Sequence, residues 1–390
     1  MPRGPRSLYS RLKLVTPESQ ALQIVRTLRA AGHLAYWVGG CVRDRLLGIA
    51  PKDFDVATSA TPEKIVPLFP ASVLIGASFG VVRFRDVEIA TFRSEGDYTD
   101  GRHPDRVRYE IDPRLDAARR DFTINAIFYD PIEAEYLDFF DGRADLENRC
   151  VRAVGDASAR FAEDRLRLLR AIRFAARFAF EIEAQTWSAI QNEARSILLV
   201  SAERTHDELN CMFTGPHPNR ALGLLQQAGL LEALIPEAAS QGFPEGKMSV
   251  PLAWAALLLG VEKPRAVLNR FRFSHADTEG ALAILRSQRA IPQARELSLA
   301  DFKRLVRQPN FDDHLRLSGP SEIVDWIRER WTQLTQEELK PAPLLTGADL
   351  IALGMTPGPR FRELLASAED AQLNGRIVSR EQALAWLGLA

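Results

Sequence analysis

The sequence predicts an α+β chain, a small strand-bearing head followed by an all-helical remainder. Three observations carry that expectation. Up to about residue 150, short β-branched and aromatic runs are punctuated by Gly, Pro and Asp, as closely connected strands require. Beyond that point apolar residues recur at helical spacing. The 390 residues, 46% of them apolar, exceed one domain and suffice for more than one core.

Taken in order, residues 1–15 read as a loosely held tail. Thr16-Pro17-Glu18 starts a helix, with Thr as cap, Pro in the first turn and an acid beside it. Leu22, Val25, Leu28 and Ala31 give it an apolar stripe, and Gly32 ends it. Strands are expected at Leu34–Val38, Asp53–Thr58, Ser72–Ile75, Val81–Phe84, Val87–Phe92, Ile124–Tyr129 and Tyr136–Phe139. A helix opened by Thr61-Pro62 interrupts them, and alternation in the fifth strand places Glu88, Ala90 and Phe92 on one face. The polar stretch from Glu95 to Val107 is a long loop. Helices then follow over 161–180, 184–197, 201–213, 218–230, 250–260, 278–287, 298–307 and 320–338. After a break at Pro341-Ala342-Pro343 a last helical unit begins. The implied domains are a head (1–150), a neck (151–215), a body (216–340) and a tail (341–390).

Composition excludes several classes. A net charge of −1 and a pI near 6.6 announce no global basic field, so any RNA contact must come from local patches. Cys41, Cys150 and Cys211 are odd in number, far apart and lack metal-ligand spacing; they read as small buried residues in a reducing cytoplasm. The basic N-terminal stretch has no continuous apolar core, and the longest apolar run, near Leu252–Val261, is too short to span a bilayer. A cytoplasmic protein without membrane contact is expected.

The chemistry centres on Tyr36–Thr58. Gly39-Gly40 opens a helix and offers backbone N–H groups to a phosphate, with the basic/acidic pair Arg43-Asp44 just beyond. Asp53 and Asp55, two apart on a strand, face one side roughly 7 Å apart. Two solvated acids at a strand end would look the same. Phosphoryl transfer on two metal ions needs about three carboxylates. Glu88, an acid among apolar strand neighbours, is the natural third, because such a group is costly unless paired or metal-bound.

The run G-G-x-V-R-D-x-L-L-G-x-x-x-x-D-F-D from Gly39 resembles the first motif of the class II tRNA nucleotidyltransferase and bacterial poly(A) polymerase family. R-R-D-F-T-I-N-A from Arg119, D-G-R-A-D-L from Asp141, E-D-R-L-R-L-L-R-A from Glu163 and S-A-E-R-T-H-D-E-L from Ser201 follow in family order. The resemblance covers most of the chain and implies a polymerase-beta-type nucleotidyltransferase head with helical neck, body and tail. It implies that Asp53 and Asp55 bind catalytic Mg²⁺, that Asp121 holds the incoming ribose, and that Arg120 and Asn125 support the nucleotide. The implied reaction adds C, C and A from CTP and ATP to the tRNA 3′ end. A-only addition or poly(A) tailing would keep the chemistry and change the product; a silent RNA-binding protein would need neither the carboxylates nor a base reader.

Asp164 and Arg167, three apart on one expected helix, have their own logic. Asp only accepts hydrogen bonds and Arg only donates. Cytosine and adenine present an amino donor beside a ring-nitrogen acceptor; uracil and guanine present the reverse. The pair therefore suits C and A, although alone it is also an ordinary helical salt bridge. Arg170, Arg173 and Arg177 continue a basic stripe for triphosphate or tRNA backbone, or simply a solvated face. Glu203, Arg204 and Glu208 read as a buttress for that helix. His206-Asp207 has no further His/Asp set beside it and reads as a surface pair, not a phosphohydrolase centre. In the family the loop over 95–107 acts as a lever when specificity changes from C to A. Its full length here favours addition that includes the final A. The tail segment from Leu353 to Arg362 resembles the family's tRNA-binding segment. Its Gly/Pro turn places Arg360 and Arg362 at a helix start, where a phosphate could sit or where the turn is merely a cap.

Overall fold

The computed structural model describes residues 16–75, 80–96, 107–238 and 242–389. The expected N-terminal tail and most of the 95–107 loop lie outside them. The chain divides into two compact units, one holding residues up to 212 with 220–234, the other 213–219 with everything from 235.

The first unit opens with α1 (Pro17–Ala30), capped by the Thr16 side chain on the Ser19 amide. Then come β1 (Ala35–Val38), α2 (Gly40–Leu46), β2 (Asp55–Thr58), α3 (Pro62–Leu68), β3 (Val73–Ile75), β4 (Val81–Phe84) and β5 (Val87–Thr91). A two-stranded ribbon, β6 (Arg93–Glu95) with β7 (Val107–Tyr109), precedes α4 (Pro113–Ala118), β8 (Phe128–Asp130), β9 (Glu135–Leu137), α5 (Gly142–Glu147) and β10 (Cys150–Val151). The stretch expected as the neck holds α6 (Ala157–Glu163), α7 (Leu166–Phe178), β11 (Glu181–Ile182), α8 (Ala184–Glu193) and α9 (Ala202–Phe213).

Seven strands form one sheet in the order β3-β4-β5-β2-β1-β8-β9. Only β2 and β5 run parallel; the other neighbours are antiparallel. On one face Tyr36, Val38, Ala57, Phe92 and Phe128 form a core with Ala117, Ala126 and Val154. In α7 the apolar positions Leu168, Leu169, Ile172, Ala175 and Ala176 are buried, which leaves Arg170, Arg173 and Arg177 on another face of the helix.

Several expectations shift. Asp53 precedes β2 rather than belonging to it. Antiparallel pairing ends at Val38 opposite Asp55, because the chain turns at Gly39 and leaves nothing for Asp53 to pair with. Phe92 lies beyond β5 and is fully buried, whereas Glu88 and Ala90 sit on the half-open face. The strand expected at Ile124 begins only at Phe128, since residues 123–125 form a 3₁₀ turn. That turn is held by the Thr123 hydroxyl donating to Asp145 at 2.6 Å.

The helix expected over 161–180 is two helices, broken at Asp164 and Arg165. Asp164, the C-cap of the first, adopts an extended conformation (φ −144°, ψ 103°), and its carboxylate accepts the Leu166 amide at the start of the second.

Every regular element among the second unit's described residues is a helix, as expected. Short helices at Pro264–Arg270 and Phe311–Ser318 interleave with the longer ones, and a capping box at Thr335 splits the run expected over 320–338. Phe302, Phe311, Val324 and Ile327 centre one core; Leu345, Ala368, Ala371 and Ala383 centre another. Between these, Arg304 and Arg307 pair with Glu369, and the buried Lys303 ammonium donates to the Leu373 carbonyl. No helix among the described residues is long and apolar enough to cross a membrane, and all three cysteines are free.

Gly142 marks the tightest approach in the head: a Cβ there would lie 2.2 Å from the Thr123 carbonyl oxygen, a backbone atom that cannot swing away. Gly142→Ala is therefore expected to destabilise the first unit by on the order of 2–3 kcal/mol, read as a lowered urea midpoint. An unchanged midpoint would refute this account of the glycine.

Candidate active site

A cavity of about 730 Å³ lies within the first unit, between sheet and neck. The turn after β1 supplies Gly39 and Gly40. Gly39 has φ +73°, a left-handed conformation that favours glycine, and a Cβ there would sit 3.1 Å from the Arg120 guanidinium. Asp53 and Asp55 line the cavity beside this turn. The stretch after α4 supplies Arg119, Arg120, Asp121 and Asn125; the neck supplies Asp164, Arg167, Arg170, Arg173, Arg177 and, from α9, Arg204. Eight arginines face four aspartates in this lining, an excess that suits a polyanion such as a triphosphate.

Solvent reaches Asp55 from the open side of the cavity, yet the protein packed around it withholds water from the charged form. That effect leads, and the Glu88 and Asp53 charges add to it. Together they push the Asp55 carboxyl up to about 6 against the pull of Arg120. Glu88 lies directly beside Asp55 across the β2–β5 pairing. Its own carboxylate is half exposed, outside the cavity lining, and held by Arg83 at 2.6 Å. The need for a partner is thus met by an arginine on the neighbouring strand. Among the described residues no group of three or more metal-ligating side chains is assembled.

Asp121 is the hub of the opposite wall. One carboxylate oxygen accepts the Phe122 amide at 2.8 Å and the Asn125 amide at 3.0 Å; the other takes two bonds from Arg170, at 2.8 and 2.6 Å. Burial alone would raise this carboxyl. The Arg170 charge and the donated hydrogen bonds outweigh it and hold the group at about 2. Asn125 passes the chain on, accepting from Arg43 at 2.6 Å. Arg43 is only 4% exposed. Arg120 bonds the Asn125 carbonyl and, with Arg119, the fully buried Asp116.

The expected base-reading pair lies in the same cavity, but each side chain bonds elsewhere. Asp164 accepts from Arg204 at 2.7 Å; Arg167 donates to Glu163 at 2.6 Å and to the Arg160 and Arg119 carbonyls. The pair is therefore not a salt bridge with itself. Its remaining hydrogen-bonding capacity is fixed in direction by Arg204 and Glu163. Arg173 is held by Glu208 at 2.6 Å and Arg177 by Asp44 at 3.4 Å, so the basic stripe is paired rather than solvated. Arg204 and Glu208, from the 201–209 stretch, thus contact Asp164 and Arg173, and Arg204 also lines the cavity.

Sequence reasoning missed Arg119 as a lining residue and Glu163 as the clamp on Arg167. The latter had a signal, an acid four residues before the arginine. Arg360 and Arg362 lie in the second unit, at the start of the helix Pro359–Leu373, where Arg362 lines a separate, largely apolar cavity of about 610 Å³.

Known proteins resemble this chain in sequence and fold. The family described as the poly(A) polymerase head domain matches residues 35–152, and that described as a probable RNA- and SrmB-binding site of polymerase A matches 179–241. The CCA-adding enzyme of Geobacillus thermodenitrificans is 34% identical, covering 95% of this chain and 96% of its own. That of Levilactobacillus brevis is 33% identical, covering 93% and 96%. The crystal structure of the Bacillus stearothermophilus CCA-adding enzyme, determined with CTP, superposes with a TM-score of 0.78 at 30% identity over 95% of this chain and 97% of that one. The Thermotoga maritima CCA-adding enzyme, determined with tRNA, shares the fold at a TM-score of 0.66 and 21% identity, covering 96% of each chain.

The Asp121 carboxylate carries a pH prediction. Its folded value lies below the ordinary 3.8, so the stability it contributes is present above 3.8 and is lost as pH falls through about 2. Asp121→Asn should cost on the order of 2 kcal/mol at pH 7, with the gap to the parent chain closing between pH 4 and pH 2. Urea unfolding at several pH values checks it. A gap independent of pH would show that the carboxylate charge is not what stabilises.

Proposed function

This chain belongs to the family of CCA-adding enzymes, and on that premise we propose that it adds C, C and A from CTP and ATP to the 3′ end of tRNA without a nucleic-acid template. The observation that carries the reading is that one cavity joins the Asp53/Asp55 carboxylates, an excess of arginine and the Asp164/Arg167 pair.

The terminal tRNA hydroxyl attacks the α-phosphate in line, and pyrophosphate leaves. Enzymes of this family generally use a divalent metal. The donor set fits one: hard carboxylate oxygens from Asp53 and Asp55, which line one cavity. We assign them Mg²⁺, which when bound lowers the pKa of the attacking hydroxyl and offsets triphosphate charge. Gly39 and Gly40 present their backbone to the phosphates. Arg120, Asp121 and Asn125 position the sugar, and Arg170 and Arg173 answer the triphosphate. Asp164 and Arg167 select the base: Asp164 accepts the amino group of C or A, and Arg167 donates to the ring nitrogen. Arg204 and Glu163 keep both edges aimed, so a base with the reversed pattern leaves buried groups unpaired. Arg177, Arg360 and Arg362 are assigned to RNA backbone, the last two in a tRNA-binding tail.

The test offers a tRNA lacking CCA, and one ending in CC, each labelled nucleotide singly and together. Sequential C, C and A addition is expected. Use of the CC-ended tRNA alone would redirect the reading to A addition, and long A tails to poly(A) synthesis. Asp53→Ala should abolish transfer while tRNA binding persists. Asp164→Ala should raise UTP or GTP use relative to CTP by on the order of tenfold or more. Unaltered base choice in that variant would refute the pair as base reader.

A further inference from the structure

Arg43 lines the cavity, and an arginine beside a Gly-Gly turn reads first as a phosphate ligand. Its surroundings say otherwise. The guanidinium lies over the Phe174 ring at 5.1 Å and over the Phe178 ring at 4.8 Å; the two rings stack on each other with planes 7° apart. Its Nε and one terminal nitrogen take Asp44 at 2.8 and 2.6 Å, and the other terminal nitrogen takes Asn125 at 2.6 Å. Asp44 in turn reaches Arg177 on α7. Three of its five N–H donors and its ring contacts are thus held within the protein, and little of the residue meets solvent.

Those contacts close a ring. Arg43 bonds Asn125, Asn125 bonds Asp121, Asp121 bonds Arg170 on α7, and one helical turn on, Phe174 returns to Arg43. One side of the ring is rooted in α2, immediately after the strand whose last residue pairs with Asp55. The other side is α7, which also carries Arg167.

Resting on the reading of the site given above, we propose that Arg43 is a positioning residue. It sets the spacing between the strand bearing the catalytic carboxylate and the helix that reads the base, and so supports base choice without touching the nucleotide. Lysine keeps the charge but has neither the planar face to stack nor the fork to hold Asp44 and Asn125 together.

The experiment compares the full-length chain with Arg43→Lys and Phe178→Leu. It reads steady-state addition to tRNA lacking CCA and equilibrium binding of CTP and UTP, with folding checked by circular dichroism. The expected result for Arg43→Lys is a fall in kcat of ten- to a hundredfold, on the order that sub-ångström to ångström misplacement produces. KM for CTP and ATP should stay within about threefold, and the preference for CTP over UTP should narrow in both turnover and binding. Phe178→Leu, which keeps apolar volume and removes one face of the stack, should shift the same quantities in the same direction by a smaller factor. It carries the test alone should Arg43→Lys not fold. The proposal is overturned if Arg43→Lys weakens CTP and UTP binding equally with kcat and base preference intact, the signature of a direct phosphate ligand. Parent-like values in both variants overturn it too. A parent chain that binds CTP yet adds nothing to tRNA would instead sink the proposed activity, and the binding comparison would still decide the role of Arg43.

Discussion

The contact between Asp121 and Arg170 is the interaction on which the candidate site depends. A wall carrying this many guanidinium groups cannot be built into a partly buried cavity without counter-charge, because isolated ions are costly to take out of water. Asp121 provides it at the point where head and neck meet, and four donated bonds keep its carboxylate ionised. Asp44, Glu163, Asp164 and Glu208 repeat the arrangement for Arg177, Arg167, Arg204 and Arg173. The helix α7 is thereby held by charge on one side, while Leu168, Leu169 and Ile172 are buried on another.

Much of this was legible in the chain. β-branched runs located the strands, helical spacing located most of the helices after residue 150, and the carboxylates, the Gly-Gly turn and the arginine stripe all reach one cavity. What could not be read were features decided by partners distant in sequence. Asp53 falls off its strand because β1 ends at Gly39, a fact about the neighbouring strand. Glu88 finds Arg83 across a hairpin, which local composition does not reveal. Asp164 and Arg167 looked like one helical pair because spacing carries no warning that the chain turns extended at the aspartate and breaks the helix there. The packing of Arg43 on Phe174 and Phe178 could not be read either, because nothing near it in sequence announces rings more than a hundred residues later.

The break at Asp164 has a mechanical side. A carboxylate in a continuous helix would follow the helix wherever it moved. Set in the joint between two helices, it takes its direction from Leu166 on one side and Arg204 on the other. In the proposed reading, base choice is then a property of three segments, and the 201–209 stretch belongs to it as fully as the motif that supplies the acid.

The internal pairing of the arginines also bears on how the cavity answers salt. An exposed cationic groove holds mobile anions, and their release on binding is the source of steep salt dependence. Here the counter-ions of Arg167, Arg170, Arg173 and Arg177 are side chains that cannot diffuse away. In the proposed reading, a triphosphate entering this cavity exchanges partners with fixed carboxylates instead of liberating ions. Its capture is then a rearrangement within the protein, less sensitive to ionic strength than the number of arginines would suggest.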